Sequence, residues 1–537
     1  MKLRQIDGET LKKMFIQGAY KLSKNREVVD SLNVFPVPDG DTGTNMFLTM
    51  ESAVSEISKI KEPSISNIAK AIADGSLMGA RGNSGVILSQ IFRGFEKACK
   101  DKEVLSIKDF STALKSASDV AYKAVMKPIE GTILTIIREV SKKALEITSK
   151  NLDFNEFFSE IIEYGEKILE KTPDMLNALK QAGVVDAGGK GLIFILKGFE
   201  EALNGEISEE EINTYSSKVQ IKDEHDGVIE FGYCTEFIIK GNSSYLNELK
   251  NKIKNLGDSM LVVGDEDLIK VHIHTNNPGK VIEYGLEIGE LINIKIDNMR
   301  YQHQNKVVAN KDIKKTEEKK KYGIISVAMG EGLYNIFKDL NVDKVISGGQ
   351  TMNPSTEDIV KAINEINADN IFILPNNSNI ILAANQAKEI TEKNVFVIPT
   401  KTIPQGITSL IQFDPSLSIK ENFDNMMEAL NNVKTVQITY SVRDSSFKDL
   451  KINKGDILGI ADGEIISVGN SINSVADEAL RKVINDEHEI LTIYYGSEIS
   501  EETANEFASK MEEIYPELDI EVYFGGQPLY YYIFSVE

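Results

Sequence analysis

Pro36 and Pro38 lead directly into an acidic turn, Asp39-Gly40-Asp41, inside the stretch Asn33–Met46. Each proline fixes its own φ, removes an amide donor and pushes the preceding residue toward an extended conformation. The chain must therefore arrive at Asp39 as a stiff, non-helical lead-in. Gly40 has no Cβ and lets the backbone turn until the carboxylates of Asp39 and Asp41 converge. Thr42, Gly43, Thr44 and Asn45 follow, and Met46-Phe47-Leu48 opens an apolar run that can start a helix. Converging carboxylates suit Mg2+, which takes one or two from a protein and its other ligands from water and substrate phosphates. An Asp-Gly turn whose aspartate caps the next helix has the same spacing. The stretch alone leaves both readings open.

The rest of the chain narrows the classes that can hold such a turn. With 537 residues it is too long for one core and should form roughly three domains. Its formal net charge of −22 argues against bulk binding to nucleic acid or to an anionic membrane surface, since both need basic patches. No uninterrupted apolar run approaches the roughly 18 residues that span a bilayer, so no integral membrane segment is expected. Met1–Asp7 lacks the apolar core of a secretory signal. The only cysteines, Cys99 and Cys234, make no disulfide framework, and a reduced, cytoplasmic protein is the simplest expectation.

Residues from about 8 to 200 read as successive amphipathic helices, with apolar residues at helical spacing in Leu11-Met14-Phe15-Ala19-Leu22 and Phe157-Ile161-Ile162-Ile168-Leu169. Glycine clusters, not strand-like alternation, interrupt them. Three of these interruptions could serve an acidic site. The first is Gly82-Asn83-Ser84-Gly85, where glycines permit close approach and the following helix offers amides to an anion. It is no Walker motif, because no Gly-Lys-Ser/Thr follows at the required spacing. The second is Gly131-Thr132-Ile133-Leu134, where Thr132 and Leu134 could line a base pocket. The third is Asp186-Ala187-Gly188-Gly189. Each alone reads equally as plain helix packing.

Asp-Gly-Asp-Thr-Gly-Thr-Asn-Met at 39–46, Gly-Asn-Ser-Gly at 82–85, Gly-Thr-Ile-Leu at 131–134 and Asp-Ala-Gly-Gly at 186–189 stand in one order. In that order they resemble the nucleotide-binding domain of dihydroxyacetone kinases. The fuller string from Leu32 to Met46 is similar to the ATP-binding subunit of bacterial fatty acid kinase. The resemblance implies an all-α eight-helix barrel holding ATP between its loops, with two Mg2+ on Asp39 and Asp41. It further implies nucleotide contacts from Thr42, Gly43, Thr44, Asn45, Gly82, Asn83, Ser84, Gly85, Thr132, Leu134, Asp186, Gly188 and Gly189. The dihydroxyacetone kinases carry a third aspartate a few residues earlier; here the nearest polar residue is Asn33, a neutral oxygen candidate for the metal.

The chain turns acidic and polar between about 202 and 226, and the period then switches. Strand-like runs at Val228–Ile239, Met260–Val263 and Leu268–Thr275, with helices between, fit a small α/β domain over 226–308. In His272-Ile273-His274 the strand period of two puts both imidazoles on one face. Cys234 lies on another strand of the same domain, and two nitrogens with a sulfur suit Zn2+. Two histidines on a solvated strand face is the plainer reading. The resemblance favours a Cys-His-His zinc site. His225 and His303 are weaker candidates for a fourth ligand, and Arg300 reads as a surface or interface residue, with contact to a phosphate as the alternative.

Residues 309–321 form a charged linker. From Tyr322 onward, buried-strand runs alternate with helices, which argues for a parallel sheet with covering helices. Its strand-end loops, Ser347–Thr356 and Asn376–Asn379, are where such folds place ligands. A second α/β part follows from Thr435, with strands near Val436–Tyr440, Ile457–Ile460, Ile490–Tyr495 and Ile520–Phe524. The 322–537 half resembles the DegV-like lipid-carrier fold. No complete catalytic constellation is visible in it, which points to docking rather than chemistry.

The expected organisation is thus a helical nucleotide-binding domain at 1–204, the small α/β domain, the linker and a DegV-like α/β domain. The resemblance implies an ATP-dependent kinase that phosphorylates the carboxylate of a fatty acid. A separate fatty-acid-binding DegV-family carrier protein would present that fatty acid, and the product would be an acyl phosphate for phospholipid synthesis. It also implies a homodimer. A dihydroxyacetone or polyol kinase and a non-catalytic lipid-binding scaffold are the alternatives.

Overall fold

The computed structural model describes residues 3–34, 37, 40–125, 127–205, 231–241, 245–265, 268–298, 319–349, 352–447 and 450–537. The chain divides into two compact units, one made of residues 1–220 together with 319–537 and the other of residues 221–318.

Among its described residues the first unit begins with eleven α-helices: α1 (Gly8–Lys24), α2 (Arg26–Asp30), α3 (Thr42–Ser58), α4 (Ile65–Gly79), α5 (Gly82–Cys99) and α6 (Ile107–Ala124), then α7 (Ile133–Glu146), α8 (Phe154–Leu169), α9 (Thr172–Met175), α10 (Asn177–Ala182) and α11 (Ala187–Asn204). Two short strands, β1 (Gln5–Ile6) and β2 (Leu105–Ser106), pair antiparallel at their edge. Helix starts are set by local caps. Asp7 accepts from the Thr10 amide at 2.8 Å, and Ser64, Ser106 and Asp153 each close a reciprocal capping box. The long helices pack in succession, α3 on α4, α4 on α5 and so on to α8 on α11, and α11 returns onto α1. The α1–α11 crossing is close because Gly18 meets Gly198: a Cβ on Gly198 would stand 2.6 Å from the Gly18 Cα. The core between the helices is aromatic. Phe110 sits edge-on to Phe95 and Phe158, both at 5.3 Å, and Phe15 lies 4.8 Å from Phe199.

The second unit holds a four-stranded antiparallel sheet, β3 (Tyr233–Lys240), β4 (Gly257–Asp265), β5 (Leu268–Thr275) and β6 (Glu290–Asn298), in the order β4-β5-β3-β6. Helices α12 (Leu246–Ile253) and α13 (Pro278–Leu286) complete it. Phe237, Ile239, Ile269, Val271 and Ile273 join its core with Leu249 and Val281.

The first unit resumes with a parallel sheet, β7 (Lys320–Ala328), β8 (Lys344–Ser347), β9 (Ala368–Leu374) and β10 (Asn394–Val397), in the order β10-β9-β7-β8. Strand β7 is buried without interruption from Tyr322 to Ala328, as a strand covered on both faces must be. It starts at Lys320, two residues before the apolar run, with the Lys320 ammonium 2.6 Å from Asp343. Helices α14 (Glu331–Asp339), α15 (Thr356–Glu365), α16 (Ile381–Ile390), α17 (Ile403–Ile411) and α18 (Ile419–Ala429) follow its strands.

A six-stranded mixed sheet comes next, made of β11 (Lys434–Tyr440), β14 (Ile457–Ala461), β15 (Glu464–Gly469), β16 (Ile490–Tyr495), β17 (Asp519–Phe524) and β18 (Tyr532–Val536), in the order β15-β14-β11-β18-β16-β17. The hairpin β12 (Ser445–Phe447) and β13 (Leu450–Ile452) lies between, and helices α19 (Ile472–Val483) and α20 (Glu501–Ile514) pack with this sheet. Strand β18 is central, pairing antiparallel with both β11 and β16. Among the described residues no helix is long and apolar enough to cross a membrane.

Candidate functional site

The helices of the first unit and its parallel sheet share one cavity of about 550 Å³. On the helical side it is lined by Asn33, Gly40, Asp41, Thr42 and Asn45, by Asn83 and Ser84, by Thr132 and Ile133, and by Asp186 and Gly188. On the sheet side the loop after every parallel strand reaches it: Met329 after β7, Gly348 and Gly349 after β8, Asn376 to Asn379 after β9, and Lys401 after β10. This is the carboxyl edge of a parallel sheet, where such folds bind ligands.

The acidic loop is built from a distance. Asp41 precedes α3 at the N-cap position, yet its carboxylate makes no capping bond. Asp30, at the end of α2, supplies the cap instead: its Oδ1 accepts from the Gly43 amide at 2.6 Å and the Thr44 amide at 3.1 Å, and its Oδ2 from the Thr44 hydroxyl at 2.8 Å. The Asp41 side chain is thereby relieved of capping, and the residue is only 8% exposed. Its Oδ2 accepts from Asn353 Nδ2 at 2.5 Å. Asn33 lines the cavity with its Oδ1 accepting from the Thr42 hydroxyl at 2.6 Å and its Nδ2 donating to the Asp30 carbonyl. Asp39 lies outside the described residues.

The second loop needs its first glycine. Gly82 has φ +57°, and a Cβ there would stand 2.4 Å from Asn45 Nδ2. Asn83 donates from Nδ2 to Asn379 Oδ1 at 3.3 Å, joining the two walls, while Asn83 Oδ1 is buried without a partner. Ser84 Oγ donates to the Thr42 carbonyl at 3.4 Å. Gly43, Thr44, Gly82, Gly85 and Gly189 support the loops without lining the cavity. Leu134 lies in the helical core at 2% exposure, and its neighbour Ile133 faces the cavity. Asp186 caps α11 by accepting from the Gly189 amide at 2.7 Å; burial pushes its carboxyl up to about 6 against the pull of that bond.

Lys401 is the single lysine or arginine among the described lining residues. The sheet side also grips the acidic loop from outside. Arg443 donates to the carbonyls of Asn33 and Val34, and Val37 packs among Ile452, Leu458, Ile460 and Ile465. The sequence singles out none of Asp30, Arg443 and Lys401, and offers Asn353 only as part of the Ser347–Thr356 loop, because their partners lie outside any local pattern. A spare aspartate near the end of a helix was the one local signal, at Asp30.

Oxygen chemistry prevails where Mg2+ is expected. A buried carboxylate stands with the amide oxygens of Asn33 and Asn45, and the oxygens of Asn83 and Asn353 are buried without partners. Unsatisfied hard oxygens beside a carboxylate fit a hard divalent cation. Among the described residues no group of three or more His, Cys, Asp or Glu side chains could hold a metal. In the second unit the strand register pairs Cys234 with His274 and Glu236 with His272. Cys234, His272 and His274 alternate with the buried positions of their strands, and their side chains lie outside the described part. His225, Arg300 and His303 lie there too.

Small-residue helix starts gathered round an acidic loop are the mark of one class of helical domain. The model of the DAK2 domain matches residues 36–201, and those of the FakA-like middle domain and the FakA-like C-terminal region of fatty acid kinase match 230–306 and 323–537. Protein YloV of Bacillus subtilis is 44% identical over the whole of both chains, and the uncharacterized protein SAR1202 of Staphylococcus aureus 42% identical over the whole of both. The chain belongs to the FakA-like fatty acid kinase family. Among solved structures, the DegV family protein Cg2579 of Corynebacterium glutamicum aligns over 40% of this chain and 98% of its own, at 14% identity and a TM-score of 0.32. The Streptococcus pneumoniae fatty acid kinase (Fak) B3 protein, loaded with linoleic acid, aligns over 40% and 99%, at 12% identity and a TM-score of 0.29.

Proposed function

We propose that the chain is the ATP-using component of a fatty acid kinase, and that it phosphorylates the carboxylate of a fatty acid brought by a separate fatty-acid-binding protein. The observation that carries the reading is the convergence of Asp41, Asn83, Ser84, Thr132 and Asp186 on one cavity in a chain of this family. We read the closed run of long helices as an eight-helix barrel with ATP held among its loops. The division into a nucleotide-binding part at 1–204, a middle domain at 226–308, a linker that ends before β7 opens at Lys320 rather than at 321, and a partner-docking part from there to 537 belongs to the same reading.

Phosphoryl transfer asks for positioning and charge neutralisation more than for covalent chemistry. Asp41, with Asp39, would hold Mg2+, which when bound neutralises charge on the β- and γ-phosphates. Asn83 and Ser84 orient the phosphates at the start of α5, where the helix dipole favours an anion. A fatty acid carboxylate is already ionised near neutrality, so no general base is needed. Its oxygen attacks the γ-phosphorus, the bond to the ADP oxygen breaks, and an acyl phosphate leaves. Lys401, which lines the same cavity, is suited to steady the anionic group being transferred.

The middle domain is read as carrying a zinc site of Cys234, His272 and His274, and the chain as a homodimer. Elemental analysis of the purified chain tests it, with one Zn2+ per chain expected and none in Cys234→Ser. The kinase reading is tested by incubating the chain with labelled ATP, Mg2+, a fatty acid and its carrier protein, with the carrier omitted as control. Label on the fatty acid only when the carrier is present is expected. Label on dihydroxyacetone or another polyol instead, or no transfer under any condition, overturns it.

A further inference from the structure

Asn353 comes from the loop between β8 and α15, more than three hundred residues from the acidic turn, yet its side chain ends on Asp41. It is 1% exposed, donates from Nδ2 to Asp41 Oδ2 at 2.5 Å, and lies 3.5 Å from Asn45 Oδ1. Its own Oδ1 is buried with no hydrogen-bond partner. A buried amide oxygen left unsatisfied is unfavourable and calls for a ligand or a function.

The loop that carries Asn353 does not need this side chain to stay in place. Arg81 donates to the Asn353 carbonyl at 2.7 Å and pairs with Asp358 at 3.5 Å. The Thr356 amide donates to the Ala80 carbonyl at 3.1 Å, and Ser355 forms a capping box with Asp358. The backbone is thus fastened to the stretch before Gly82 by its own contacts. What the side chain adds is a donor on one oxygen of Asp41 and an idle oxygen beside it.

We propose that Asn353 is a positioning residue of the divalent-cation site: it aims the Asp41 carboxylate through one hydrogen bond and sets a neutral oxygen next to it. The inference rests on the reading of Asp41 as a cation ligand. It gives the C-terminal half a share in the chemistry, because the cation site is complete only when the loop after β8 is seated. An amide suits the place better than a carboxylate would before a cation arrives, since it binds Asp41 without adding a second charge to a buried site.

The experiment titrates Mn2+ into the full-length chain and reads free Mn2+ by electron paramagnetic resonance, for wild type, Asn353→Ala, Asn353→Asp and Asp41→Asn. Thermal midpoints are measured alongside. Partners that orient a metal ligand typically change affinity about 10–100-fold when removed, and a weakening in that range is expected of Asn353→Ala. Asn353→Asp, which removes the donor to Asp41 but keeps an oxygen where the idle one stood, should lose less Mn2+ affinity than Asn353→Ala. Unchanged Mn2+ affinity in Asn353→Ala, or an equal loss in Asn353→Asp, overturns the proposal and leaves Asn353 a packing residue that moves only the thermal midpoint. A wild-type chain that takes up no Mn2+, or Asp41→Asn that takes it up as wild type does, overturns the metal reading itself.

Discussion

The helical wall of the cavity offers carboxylates and small polar residues at helix starts, with Asp41, Asn45, Asn83, Ser84 and Asp186, whereas the sheet wall offers strand-end loops, asparagines and one lysine. The helical wall is dictated by short-range chemistry: two prolines, a glycine turn and helix starts rich in glycine. The sheet wall is dictated by topology, because parallel strands bring all their carboxyl ends to one edge. On the proposed reading the two walls divide the labour, with one holding metal and phosphate and the other supplying the opposing charge.

The division breaks most sharply at Asp41. Asp41→Ala should lower ATP-dependent transfer by about a hundred- to a thousandfold, the scale for removing one electrostatic stabiliser, with the circular dichroism unchanged. Asp39→Ala is expected to do the same. Retained phosphorylation in either would leave the helical wall without its assigned role. Lys401→Ala should reduce transfer less, by about tenfold, mostly in kcat if the ammonium meets the group in flight. A loss equal to that of Asp41→Ala would erase the distinction between the walls.

A stability measurement sharpens the comparison from the other side. Leu458 is fully buried in the small cluster that receives Val37, so Leu458→Ala should lower unfolding free energy by roughly 2–5 kcal/mol in a urea titration. Transfer measured well below the unfolding midpoint should fall with it, since that cluster seats the acidic loop. The smallest effect is expected from Asp186. Its carboxyl titrates near 6, above the ordinary 3.8, so the folded state binds the proton more tightly than the unfolded chain does. That contribution to stability is complete below about 3.8 and is lost as pH rises through about 6. Asp186→Asn should flatten this part of the stability-against-pH curve.

What the sequence made legible follows the same split. The helices of residues 8–200 were readable from apolar spacing, and the parallel strands after Tyr322 from their continuous apolar runs. Strands β15 and β18 were not. β18, Tyr532–Val536, is buried as continuously as the parallel strands, but the tyrosine run that leads into it from Tyr530 hides where it begins. The cavity-lining loops could be named from either half, but nothing in a linear pattern says that Asn379 meets Asn83 or that Asn353 meets Asp41. The aspartate at position 30 escaped for a related reason: it caps a helix that starts twelve residues later, where the local rule looked to Asp41.

The place of β18 bears on how the protein is made. Strands β11 and β16 have no common neighbour until residues 532–536 are inserted between them, so the mixed sheet stays in two parts until synthesis has passed that point. Tyr530, which lines the cavity, arrives in the same few residues. At roughly 5–20 residues per second, the ribosome needs some seconds to travel from β11 to β18. During that interval the acidic loop is already in being but has only part of the sheet side to close on. A nascent chain therefore carries an open, exposed cavity, and its completion is timed by the last strand of the second sheet.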